Sequence, residues 1–214
     1  MRVLVFGDSI TQGFCDTEGG WVARLRKHYD KLQLNDPVNN YAPEIFNLGI
    51  SGDIAPGILK RLEPEWQARA WLWPRERFAF IIAIGINDSV VEEGKPRFTE
   101  NEYRSNLNKI LAKAKKHSDK ILLVGLSACD ETLTAPISWK DRHYLNQRVK
   151  AFEDITRKVA VSNKVSFAPV FDKFKKHFDA GENLLADGLH PNNDGHELIF
   201  QLVRPELEKL LRKQ

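Results

Sequence analysis

Short apolar runs rich in β-branched and aromatic residues alternate with amphipathic stretches along nearly the whole chain. The runs cover residues 3–6, 45–48, 78–84, 121–126 and 165–170, and their length and composition predict five β-strands. Between them, apolar positions recur at helical spacing. Trp21, Leu25, Tyr29 and Leu32 mark one helix, and Thr99-Glu100-Asn101-Glu102 reads as a capping box opening a second through Leu107, Ile110, Leu111 and Ala114. Leu145, Val149, Phe152, Ile155 and Val159 mark a third. The last helix starts near Asn193 and runs through Leu198, Leu202, Leu207 and Leu210, with Pro205 expected to kink or restart it.

Strands alternating with helices indicate an α/β protein with a parallel sheet. Right-handed crossovers then place helices on both faces, so a three-layer α/β/α sandwich with a doubly wound five-stranded sheet is expected. Two connections look irregular: residues 63–77, with Pro64, Trp66, Trp71, Trp73 and Pro74, and residues 127–140, with Pro136 and Trp139. Loops of this length often shape pockets on such a scaffold, although Trp66 and Trp71 are expected first as caps on the core.

Composition narrows the picture. A chain of 214 residues closes one hydrophobic core, so a single domain over 1–214 is expected. Apolar residues at 42% and charged residues at 29% are ordinary for a globular protein and exclude a disordered or fibrous chain. The net charge of +3 gives little reason to expect nucleic acid. The clusters Lys113-Ala114-Lys115-Lys116-His117 and Lys173-Phe174-Lys175-Lys176-His177 fall near helix ends, where positive charge suits the dipole. No apolar run reaches the length of a membrane span, and the opening Val3-Leu4-Val5-Phe6 run is too short for a signal peptide. Two cysteines, Cys15 and Cys129, make neither a disulfide framework nor a zinc site, which fits a reducing cytoplasm.

In an open parallel sheet the functional site lies at the carboxyl ends of the strands. After the first three strands come Gly7-Asp8-Ser9-Ile10-Thr11, Asn47-Leu48-Gly49-Ile50-Ser51-Gly52-Asp53 and Gly85-Ile86-Asn87-Asp88; Asp187-Gly188-Leu189-His190-Pro191 precedes the last helix. A serine hydroxyl becomes a nucleophile at neutral pH only when a base takes its proton, and imidazole suits that task. Asp187 and His190 stand three apart, a spacing that lets the carboxylate reach one ring nitrogen while the other points toward Ser9. Acyl transfer also needs donors for the oxyanion, and the Ser9 N–H, the Gly52 N–H and the Asn87 amide are the candidates.

These four blocks resemble, in order and spacing, the signature blocks of the GDSL, or SGNH, hydrolase family, and the resemblance covers essentially the whole chain. It implies a flavodoxin-like sandwich and metal-free, cofactor-free hydrolysis of small-molecule esters or thioesters. By motif it also implies a site of Ser9, Gly52, Asn87 and His190, completed by Asp187. Gly49-Ile50-Ser51-Gly52-Asp53 looks most like the branch containing lysophospholipases and thioesterases. The Gly-x-Ser-x-Gly elbow of α/β-hydrolases is absent around Ser9.

Plainer readings stand beside these. Ser9 and Asn87 each suit a cap or turn, and Gly52 suits a backbone turn. Asp8 and Asp88 are expected to support the site from behind. With Asp187 and His190 they form the ligand set a metal-dependent phosphoesterase would need, and a binding protein without turnover is a third reading. His28, His117, His143 and His177 are expected on solvated helix faces, and His196 in local packing. Cys15, close in sequence to Ser9, reads as an inert buried thiol or a pocket-lining one.

Overall fold

Val3, Leu4, Val5 and Phe6 are all fully buried in the first strand, as expected for a parallel strand covered on both faces. The structure, a computed structural model, describes residues 1–38, 42–70 and 77–212. In chain order the strand β1 (Arg2–Gly7) leads into a short helix α1 (Ser9–Gln12) and the helix α2 (Gly20–Asn35). Strand β2 (Glu44–Gly49), helix α3 (Ala55–Ala70) and strand β3 (Phe78–Ala83) follow. Two-residue strands β4 (Val91–Glu92) and β5 (Lys95–Pro96) precede α4 (Glu100–Ala114) and β6 (Ile121–Val124). The rest comprises α5 (Glu131–Thr134), β7 (Arg142–His143), α6 (Asn146–Asn163), β8 (Ser166–Ala168), α7 (Phe171–Asp179) and α8 (Asn193–Arg212).

The main sheet has the order β2-β1-β3-β6-β8, and every pairing is parallel. This is the flavodoxin-like order, and its switch point lies between β1 and β3. Helix α2 packs with α8, whereas α3, α4 and α6 pack side by side in a separate layer. The capping box forms as predicted, with the Thr99 side chain accepting from the Glu102 N–H and the Glu102 carboxylate accepting from the Thr99 N–H.

Several expectations need correction. The segment 63–77 is not an irregular loop as far as Ala70: α3 continues through Pro64, and Ile58, Leu62 and Trp66 pack on the core. That packing offsets the hydrogen bond the proline removes. Trp66 therefore caps the core, while Trp71, Trp73 and Pro74 lie outside the described residues. Helix α8 likewise continues through Pro205 without a break. The small antiparallel sheet β5-β4-β7 was not predicted, because strands of two residues carry no periodicity. His117 is not solvated: it stacks on Trp66 with centroids 3.7 Å apart and pairs with Glu63 at 2.9 Å. His28 sits against Tyr29 and Phe200 and pairs with Glu208, and His143 lies on β7 rather than on a helix.

One buried carboxyl fastens the far end of the sheet. Glu153 Oε2 accepts from the N–H groups of Leu126, Phe171 and Val170 at 2.8, 2.9 and 3.3 Å. Burial raises its pKa, and the three backbone donors only partly offset that effect. Glu153→Ala would leave buried amides unpaired and should cost about 3 kcal/mol or more. Urea denaturation at unchanged m-value reads that loss, and a cost below about 1 kcal/mol would mean the amides find other partners.

Candidate active site

The turn after β1 is built to present a hydroxyl. Asp8 is the N-cap of α1, its carboxylate accepting from the Ile10 N–H at 3.0 Å, and Ser9 is the first helical residue. The Ser9 N–H therefore has no acceptor within the helix. Gly13 closes α1 in the left-handed region at φ +95°, which turns the chain back across the end of the sheet.

The Asp187 loop supplies the second arm. Asp187 Oδ1 accepts from the Leu189 and His190 N–H groups at 3.0 and 2.8 Å, so the turn itself fixes the carboxylate. Its Oδ2 stands 2.7 Å from His190 Nδ1, and His190 Nε2 stands 3.0 Å from Ser9 Oγ. Burial pulls the Asp187 pKa upward, but the hydrogen bonds from His190 and Leu189 outweigh it and hold the carboxyl below its usual range. Phe14 meets the His190 ring edge-on, with centroids 4.7 Å apart.

Gly52 and Asn87 line the same cavity as Ser9, Asp187 and His190, a space of about 340 Å³. Gly52 occupies the third position of a turn closed by the Asp53 N–H on the Ile50 carbonyl, and its φ of +78° explains the glycine. A Cβ there would meet nothing within 4 Å, so conformation rather than space excludes other residues. Asn87 is buried and held at both ends: Nδ2 donates to the Asp53 carbonyl at 3.1 Å, and Oδ1 accepts from the Tyr144 hydroxyl at 3.0 Å. These partners fix the amide orientation and leave its second N–H uncommitted by them.

Asp8 and Asp88 sit behind the cavity. Asp88 accepts from the Ala55 N–H at 3.0 Å and so anchors the start of α3. Burial pushes both carboxyls up to about 7, against the pull of backbone donors, and the charges on neighbouring carboxylates add to the rise. Among the described residues these two join no cluster of metal-ligating atoms with Asp187 and His190.

A carboxyl raised in the folded state binds a proton there that the unfolded chain has already lost. Its contribution is greatest below about pH 4 and is lost as pH rises to about 7. Asp88→Asn should therefore gain stability relative to the parent between about pH 5 and pH 8. Parallel stability curves for the two proteins across that range would contradict this assignment.

The sequence carries no signal for two parts of the site: Tyr144, on the chain after β7, holds Asn87, and Phe14 abuts the imidazole. Leu133, Ile137, Trp139 and Leu189 form much of the wall. The loop 127–140 does reach the pocket, as its length suggested. Glu92 braces that wall, pairing with Lys140, Arg97 and Arg142, and these partners pull its carboxyl down to about 2. Cys15 is exposed rather than buried, whereas Cys129 is buried. His196 is buried as expected, but its ring stands 3.3 Å from the Phe14 carbonyl, a partner 182 positions away rather than a local one.

The chain is 25% identical over 221 residues to a human protein named isoamyl acetate-hydrolyzing esterase 1 homolog, covering 97% of this chain and 82% of the relative. It is 24% identical to thioesterase 1/protease 1/lysophospholipase L1 of Escherichia coli strain K12, covering 98% and 84%. A crystal structure of a lipase/acylhydrolase from Enterococcus faecalis shares the fold, with a TM-score of 0.74 at 21% identity over 100% of this chain and 98% of that one. Among the described residues no helix is long and apolar enough to cross a membrane. Residues 5–198 match the GDSL-like Lipase/Acylhydrolase family, and the chain belongs to that family of carboxylic ester hydrolases.

Proposed function

We propose that the protein hydrolyses small carboxylic esters through an acyl-enzyme on Ser9. The observation that carries this reading is the unbroken hydrogen-bonded line from Ser9 Oγ through His190 to Asp187, at 3.0 and 2.7 Å. His190 Nε2 takes the hydroxyl proton as Ser9 Oγ attacks the ester carbonyl, and Asp187 steadies the imidazolium that forms. The oxyanion is received by the Ser9 and Gly52 N–H groups and the second N–H of Asn87. The imidazolium then gives its proton to the departing alcohol. Water, activated by the same imidazole, releases the acid and restores Ser9.

Asp8, Asp88 and Tyr144 act as positioning residues, through α1, α3 and Asn87 respectively. A cavity of about 340 Å³ lies at the small end of the range for ligand pockets, and its Leu133, Ile137 and Leu189 wall favours a compact apolar group. The family match supports one hydrolase domain over 1–214, and two free thiols suit a reducing cytoplasm. The test is a nitrophenyl ester series from acetyl to palmitoyl. We expect a burst of nitrophenol and a kcat/KM that falls at least about tenfold from short to long chains. A maximum at long chains would overturn the substrate assignment, and alcohol release without any acyl-enzyme in rapid-quench samples would overturn the mechanism.

A further inference from the structure

Among the described residues one group combines three different metal-ligating side chains: Cys15, Asp187 and His190, whose ligand atoms all lie within 4.8 Å of one another. The thiol is set there by its surroundings. The Phe14 N–H donates to the Ser9 carbonyl at 3.0 Å, and the Phe14 ring meets His190 edge-on. On the other side, Asp16 accepts from the Gly20 N–H at 2.7 Å and pairs with Arg24. Cys15, between these anchors, takes the left-handed conformation at φ +66°, which cysteine rarely adopts. Its side chain remains exposed, so an ion from solvent can reach it.

We propose that Cys15, Asp187 and His190 form a binding site for a thiophilic divalent cation, zinc foremost, whose occupancy switches hydrolysis off. One thiolate, one imidazole nitrogen and one carboxylate are the donors zinc takes readily, with water in the fourth position. Binding makes a metal–sulfur bond and releases the thiol proton to solvent. Small movements of the exposed Cys15 and Asp187 side chains about the largely buried His190 ring bring the three donors into a tetrahedral arrangement. Whichever imidazole nitrogen binds the ion, the line from Asp187 to Ser9 is broken: the ion displaces either the Asp187 contact or the proton-accepting nitrogen. Magnesium and calcium prefer all-oxygen shells and are not expected to compete. The inhibitory half rests on the catalytic role given to His190; the binding half does not.

The experiment titrates zinc chloride into the purified protein while nitrophenyl acetate hydrolysis is followed, and titrates cobalt(II) while the near-ultraviolet sulfur-to-cobalt band is recorded. The parent should lose activity, recover it with a chelator, ignore magnesium, and develop the cobalt band. Cys15→Ser should turn over at the parental rate without metal, require at least about tenfold more zinc for half-inhibition, and give no band. His190→Ala should weaken cobalt binding by a similar factor, which ties the imidazole to the site without reference to activity. Equal zinc sensitivity in the parent and Cys15→Ser, or a cobalt band that survives that substitution, would overturn the proposal. An inactive parent that still forms a Cys15-dependent band would sink the catalytic reading and leave the metal site standing.

Discussion

His190→Ala is expected to lower kcat for nitrophenyl acetate by at least about 10⁴-fold, with KM changed only a few-fold and the protein still folded. Ser9 Oγ has an imidazole nitrogen 3.0 Å away, and a serine hydroxyl without such a base is almost wholly protonated at neutral pH. Asp187 adds the second part, because its 2.7 Å contact with Nδ1 holds the tautomer in which Nε2 accepts a proton. Asp187→Asn should therefore also cost about 10⁴-fold, since an amide can present its own N–H to Nδ1 and favour the wrong tautomer. The apolar wall of Leu133, Ile137, Trp139 and Leu189 is untouched in both variants, which is why ground-state binding should survive. Turnover within about tenfold of the parent in His190→Ala would remove His190 from the mechanism.

The second large effect is at Asn87. Asn87→Ala should lower kcat and kcat/KM together by about 10² to 10³-fold, the signature of a contact made only in the transition state. The amide is pre-oriented by two partners, so it need not reorganise as charge develops on the carbonyl oxygen. Tyr144→Phe removes one partner and should give a smaller loss, about tenfold in kcat, because the amide then samples other orientations. The two variants are separable by the size of the kcat loss, and neither should raise KM appreciably. A rise in KM with kcat unchanged would instead make Asn87 an ordinary binding contact.

The main sheet was legible because strands buried on both faces read as continuous apolar runs, as 3–6 and 78–84 do, and no other element mimics them at that length. The site was legible because its chemistry sits in short turns immediately after those strands, where Asp8, Ser9 and Asp88 keep their neighbours in sequence as neighbours in space. Asp187 and His190 also meet through a local turn, so their contact follows from spacing alone. Tyr144 escaped notice for the opposite reason: it reaches Asn87 across 57 positions of chain, and nothing near either residue marks the pairing. The helix through Pro64 was hidden because a local breaker signal was overruled by tertiary packing of Leu62 and Trp66. His117 was misjudged for the same cause, since its polar neighbours in sequence say nothing of the Trp66 ring stacked on it.

The proposed mechanism requires an activated oxygen on Ser9. Incubating the folded protein with a fluorophosphonate and mapping the adduct by peptide mass spectrometry detects that oxygen. One stoichiometric phosphonate is expected on Ser9, absent from Ser9→Ala and strongly slowed in His190→Ala. No adduct at Ser9, under conditions where a known serine esterase labels fully, would contradict that mechanism.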